Sequence, residues 1–247
     1  MKGGAEGAGC FPTGRHYPGI AHLLRIVAAG LADGFDGHLP VKGLPLAAID
    51  TETTGRNPET DRIVEVACVL WKDGAVVERR TWLVNPGIPI PEEARAIHGI
   101  CDDDVKDKPP FSGILDDLCR ALEGHVPLAY NAEFDRDFLL AEVSRCGVAG
   151  RPLPPSFRKG VEWIDPLTWA REIQSRERSR ALGDVCERLG IQLERAHRAT
   201  DDAEAAAHVM AAFLCDARVP STYAAFIQEQ RRLARGFAEE RMRWRRS

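Results

Sequence analysis

This chain of 247 residues lacks both a long apolar run and an excess of positive charge. Its most apolar early stretch, Ile20 to Leu31, is broken by His22 and Arg25. That is too short and too interrupted for a bilayer span, which takes about 20 apolar residues, so no membrane partner is expected. The opening, MKGGAEGAGCF, carries Glu6 and has no compact apolar segment, so no secretory leader is expected. The cysteines Cys10, Cys68, Cys101, Cys119, Cys146, Cys186 and Cys215 are odd in number and never form a C-x-x-C pair. This argues against a disulfide framework and a thiolate zinc site, and fits a reducing, cytoplasmic setting. With 33 basic and 37 acidic residues the formal charge is −4, so no global field draws in a polyanion. Any binding to nucleic acid must be local. No repeat or low-complexity tract is present. The balance of 44% hydrophobic and 28% charged residues excludes disorder, collagen and coiled coil as whole-chain answers.

What is present reads as a mixed α/β chain. Residues 1 to 18 are rich in Gly and Pro, and Ile20, Leu23, Leu24, Val27 and Leu31 then recur at helical spacing, predicting an amphipathic helix that ends near Gly34. A Gly/Pro linker over 37–45 leads into the main domain. Short apolar runs at Leu46 to Ile49, Ile63 to Trp71 and Val76 to Val84, with Asp73-Gly74 between the last two, predict a strand followed by a hairpin. Further strands are expected at Val126 to Tyr130 and Val161 to Ile164. Helices are expected at Pro91 to Ile97, around Ile114 to Leu122, from Phe134, at Leu167 to Ile173 and Ala181 to Leu189, from Thr200, and in the last segment from Tyr223. Early strands and late helices suggest a mixed sheet with helices packed on it. The expected units are an N-terminal extension (1–44), a main domain (45–215) and a basic C-terminal helix (216–247).

Acids stand at the ends of several of these elements. In Ile49-Asp50-Thr51-Glu52-Thr53-Thr54-Gly55, strand alternation puts Asp50 and Glu52 on one side and turns Thr51 away. Two neighbouring carboxylates repel unless a cation lies between them, and hard divalent ions suit oxygen ligands. Taken alone, a D-x-E more often ends a strand in solvent. Asp135, in Ala129-Tyr130-Asn131-Ala132-Glu133-Phe134-Asp135, falls in a first helical turn, where an acid also suits the helix dipole. In His197-Arg198-Ala199-Thr200-Asp201-Asp202, Asp202 lies at the edge of the buried stripe and Asp201 nearly opposite its centre, so Asp202 is the better candidate ligand. His197 enters the same helix end and is a candidate base. Glu133 and Asp201 are the nearest decoys, and Asp102 to Asp104 read as a solvated helix start.

The ordered set D-x-E, D and H-x4-D resembles the DnaQ-like branch of the DEDD exonucleases, the histidine-containing subgroup. AIDTETTGRNPETDRIVEVACV resembles its first motif, AYNAEFDRDFL its second and HRATDDAEA its third. The segments around Ala96-Ile97-His98-Gly99-Ile100 and Trp163-Ile164-Asp165-Pro166 also fit, and the likeness covers roughly residues 45 to 215. It implies an RNase H-like fold, a mixed β-sheet flanked by helices, here with extra N-terminal and C-terminal helices. It further implies two divalent ions, Mg²⁺ or Mn²⁺, held by Asp50, Glu52, Asp135 and Asp202, with His197 taking a proton from the attacking water. Thr51, Thr53, Thr54, Gly55, His98 and Asn131 would line the terminal-nucleotide pocket. The implied substrate is a nucleic acid 3′ end.

The wording Thr51-Glu52-Thr53-Thr54-Gly55 is nearer the epsilon-like members, which favours DNA over RNA. An exoribonuclease like RNase T or oligoribonuclease is the alternative, and a non-catalytic polymerase-accessory module is a third reading. All five implied positions are kept, which argues against the third. No recognisable clamp-binding segment or Gln-rich tether supports polymerase association. The last twenty residues hold Arg231, Arg232, Arg235, Arg241, Arg243, Arg245 and Arg246 against three Glu. They suit either phosphate contact or a solvated helix end.

Overall fold

A computed structural model describes residues 29–148, 150–192 and 198–244. Strands β1 (Leu46–Thr53), β2 (Ile63–Lys72), β3 (Ala75–Leu83) and β4 (Val126–Leu128) form one sheet in the order β3-β2-β1-β4. β1 is antiparallel to β2 and parallel to β4, and β2 is antiparallel to β3. The helices are α1 (Glu92–His98), α2 (Asp102–Val105), α3 (Phe111–Leu122), α4 (Ala132–Arg145), α5 (Pro166–Ile173), α6 (Leu182–Leu189), α7 (Ala199–Phe213) and α8 (Tyr223–Trp244). This is the mixed sheet flanked by helices that the sequence predicts. The β2–β3 turn sits at Asp73 and Gly74, both with positive φ (52° and 84°), as a two-residue type I′ hairpin demands.

Alternation along β1 divides the core. Leu46 and Ala48 pack on one face with Val69, Trp71, α7 and the start of α8, whereas Ala47 and Ile49 pack on the other with Val66, Cys68, α3 and α4. α7 meets the sheet through Ala203, Ala206 and Ala207, all almost fully buried. Small side chains let the helix lie close over β1 and β2, so its first turn comes near the end of β1. α8 joins the same core through Tyr223, Phe226, Ile227 and Leu233.

Polar cross-links then secure the loops at that end of the sheet. Gln230 of α8 is buried; its Oε1 accepts from the Asp165 amide at 2.9 Å and its Nε2 donates to the Trp163 carbonyl at 2.8 Å. Asp165 caps α5 by accepting from Leu167, and also accepts from the amide of Asn131 at the start of α4. On the far side, Glu142 of α4 receives two hydrogen bonds from Arg62 at 2.6 and 2.9 Å. The Arg62 amide in turn donates to Thr54 Oγ1 at 3.0 Å.

Two expectations differ. Val161 to Ile164 gives only an isolated parallel bridge, Ile164 to Leu128, because the chain turns at Asp165 to start α5. Residues 29–34 form turns and not the end of a helix, since Gly30 has φ +93°; residues 20–28 lie outside the described residues.

Glu142→Ala removes the only carboxylate bonded to Arg62 among the described residues. Breaking a fully buried pair costs about 3 to 5 kcal/mol, and partial exposure of Arg62 screens that toward about 2 kcal/mol. The expected result is a lower urea midpoint at an unchanged m value.

Candidate active site

The alternation that builds the core also aims the acids. Asp50 and Glu52 follow the parity of Leu46 and Ala48, so they face α7, whose first turn carries Asp202. One carboxylate oxygen from each of Asp50, Glu52 and Asp202 lies within 4.8 Å of the others. Oxygen donors at such spacing, all from carboxylates, fit a hard divalent cation. Thr51 faces the opposite way, toward α4. There its amide and hydroxyl both donate to Asp135 Oδ1, at 2.9 and 2.8 Å. Asp135 is therefore buried close to Asp50, with one oxygen held by Thr51. His197 lies outside the described residues; Arg198, next to it, is the N-cap of α7.

Electrostatics make this a costly place for charge. Burial, then the charges of Asp135, Glu52 and Asp202, raise the Asp50 pKa well above the ordinary carboxylate range. Burial and the neighbouring Glu65 push Glu52 up to about 8. Burial pushes Asp135 up to about 7 against the opposing pull of its bonds from Thr51.

Glu65 is the acid that motif reading misses. It pairs in register with Glu52 across β1 and β2, is 6% exposed, accepts from the Ala199 amide and faces Arg198. It thus ties β2 to the first residue of the helix that carries Asp202. The signal is visible afterwards: Glu65 is the one charged residue inside the apolar run Ile63 to Trp71.

Beside the acids lies a cleft of about 460 Å³ lined by Thr51, Thr53, Thr54, Gly55, Ile97, His98 and Phe134, among others. Its threonine hydroxyls serve the loop itself: Thr53 donates to the Gly55 carbonyl at 2.6 Å and Thr54 accepts from Arg62. A side chain at Gly55 would run into the Asp61 carboxylate. His98 Nδ1 accepts from the Ile100 amide at 3.0 Å, which leaves the proton on Nε2, and that atom has no partner among the described residues. Burial lowers the His98 pKa against the opposing pull of the nearby Thr53 backbone, keeping the ring neutral. Asn131 stands outside the lining, exposed in a left-handed conformation (φ 67°) at the head of α4. Glu133 is exposed, and Asp201 faces clefts on the Arg79 side of α7. Among the described residues no helix is long and apolar enough to cross a membrane.

A mixed sheet whose first strand ends in paired acids, met by an aspartate from a late helix, defines an RNase H-like nuclease domain. The family model described as Exonuclease (RNase_T) matches residues 47–210. The DNA polymerase III subunit epsilon of Treponema pallidum (strain Nichols) is 35% identical over 159 residues, covering 63% of this chain and 70% of that relative. A DNA polymerase III PolC-type from Thermotoga petrophila is 31% identical over 170 residues, but this chain spans only 12% of its length. Among solved structures, Exonuclease X in complex with 5′ overhanging duplex DNA is 26% identical with a TM-score of 0.56, covering 74% of this chain and 99% of that one. The nuclease domain of 3′hExo, a DEDDh family member bound to rAMP, shares the fold at 20% identity and a TM-score of 0.60, covering 72% and 95%. The chain belongs to the DnaQ-like exonuclease family. The cluster of Asp50, Glu52 and Asp202 is one that could hold a divalent metal ion.

The raised acids predict a pH signature in metal-free protein. In the unfolded chain these groups ionise near their ordinary values; in the fold they keep their protons up to the values of about 8 for Glu52 and about 7 for Asp135. The folded state then binds more protons, so stability is lost as pH rises between about 4 and about 8. In EDTA the melting temperature is expected to fall across that window, and Asp50→Asn should flatten the fall. Equal slopes for the two proteins would contradict the charge crowding.

Proposed function

We propose that this protein hydrolyses DNA from the 3′ end, releasing nucleoside 5′-monophosphates, as an exonuclease that works with two Mg²⁺ or Mn²⁺ ions. The observation that carries the reading is the meeting of Asp50, Glu52 and Asp202 within 4.8 Å. With Asp135 they form the donor set for the ions, which when bound supply charge that lowers the cost of a water attacking the scissile phosphate. Thr51 orients Asp135 by its two bonds to Oδ1. His197, five positions before Asp202, acts as the general base and takes a proton from the attacking water. The water oxygen bonds to phosphorus, the P–O3′ bond breaks, and the departing 3′ oxygen is protonated from solvent. The cleft seats the terminal nucleotide, with Phe134 and Ile97 offering apolar surface to the base and neutral His98 offering an Nε2 proton.

Choosing DNA over RNA rests on the first-motif wording and on the DNA polymerase III epsilon relative. The same relative motivates a proofreading or repair role. Sugar choice is decided by contacts to the 2′-OH and not by the hydrolytic chemistry, so substrate comparison is the decisive test.

End-labelled single-stranded DNA, duplex DNA and RNA, each incubated with Mn²⁺, should show stepwise 3′ shortening of DNA faster than of RNA. EDTA should abolish it. Asp50→Ala should reduce the rate at least about a thousandfold, and His197→Ala by about 10² to 10⁴ with loss of the acidic limb of the pH–rate profile. Equal rates for wild type and Asp50→Ala would remove the mechanism, and faster RNA shortening would reverse the sugar assignment.

A further inference from the structure

α8 lies beyond the segment that the family model matches, yet it completes a second cleft on the domain. The cleft measures about 490 Å³ and opens between α5, the chain that follows it, and the last turns of α8. Arg171 comes from α5, Arg180 from the segment before α6, and Phe237 and Arg241 from α8. Neither Arg171 nor Arg241 makes an ion pair or a hydrogen bond among the described residues. Instead their guanidiniums stand near enough that Arg241, after burial, disfavours the charge on Arg171. Arg180 spends one nitrogen on the Ser175 carbonyl at 2.5 Å and buries its Nε with no partner. A buried donor left without an acceptor costs about 1 to 3 kcal/mol. Glu172 and Glu240 also line the cleft, and the Asp165 carboxylate attracts Arg171 from outside the lining. Glu172 acts on Arg218 and Arg232 as well, outside the cleft.

Position links this cleft to the acids. The Arg180 carbonyl accepts from the Tyr130 hydroxyl at 2.6 Å, and Tyr130 immediately precedes Asn131. Arg171 acts on both Tyr130 and Asp165, and Asp165 holds the head of the helix that carries Asp135. The cleft therefore sits at the same end of the sheet as the acids, along the path past Tyr130.

We propose that the Arg171, Arg180 and Arg241 cleft is a phosphate-binding site that grips the backbone of the substrate strand a few nucleotides upstream of its 3′ end. This rests on the nuclease reading for the identity of the strand. Fork-shaped guanidinium donors outside any close ion pair match phosphodiester oxygens, and a local anchor is what a chain of net charge −4 needs.

Fluorescence anisotropy of labelled dT oligomers of about 20 and about 3 nucleotides, in EDTA, tests the site without turnover. Arg171→Ala and Arg241→Ala should each weaken the longer oligomer about five- to tenfold and lower its salt slope by about 1. The exposed charge reversal Arg241→Glu should weaken it further while leaving the melting temperature unchanged. The ratio of long to short affinity should collapse in the double variant. An unchanged ratio and salt slope in Arg241→Glu would overturn the proposal. Because no hydrolysis is read, an active enzyme with unchanged binding sinks this site alone. An inactive enzyme whose binding still depends on Arg241 sinks the hydrolytic reading alone.

Discussion

Crowding of like charge at the end of β1 is the constraint around which the rest of the molecule is arranged. Asp50, Glu52 and Asp202 share a few ångströms, with Asp135 and Glu65 close enough to raise the proton affinity of Asp50 and Glu52 further. No isolated peptide would hold such a set, because mutual repulsion would spread it apart. Here each acid is carried by an element that is packed for other reasons. β1 is fastened on both sides within the sheet, and α7 presses its alanines against it. Packing free energy from the core thus offsets an electrostatic cost that a bound divalent cation would relieve.

Around that point, hydrogen bonds turn loops into fixed supports. Glu65 joins β2 to the start of α7, and Thr51 joins β1 to Asp135. Arg62, held by Glu142, pins Thr54 and so the turn after the first motif. Gln230 reaches from α8 to Asp165, which in turn holds the amide of Asn131. The C-terminal helix is therefore more than an appendage: through one buried glutamine it steadies the junction from which the second motif begins.

Charge is unevenly distributed in a way that net charge conceals. The acids gather at one point, whereas arginines collect on α5, the segment after it and α8. At physiological salt the Debye length is about 8 Å, so arginines in contact range count for more than the sum over the whole chain. A molecule with this arrangement attracts a polyanion by contact and not by a long-range field.

Much of the fold was legible because it follows from local periodicity. The hairpin at Asp73-Gly74, the two-faced β1 and the alanine stripe of α7 all depend on neighbours within a few residues, and so does the shared side of Asp50 and Glu52. The family motifs likewise depend only on order and spacing. What periodicity could not supply was decided by contacts between distant segments. Glu65 looked like part of an apolar strand until register set it opposite Glu52, and Thr51, which lines the cleft, also gives its hydroxyl to Asp135 of α4. The run at Val161 to Ile164 reads as a strand, but Asp165 starts a helix before a ladder can form. Arg171, Arg180 and Arg241 are unremarkable in order along the chain and share one cleft because α8 folds back over α5. Sequence alone determined which residues could carry charge and which face each would present. Only tertiary packing decided which of those charges meet, since that is settled by long-range contacts no local pattern records.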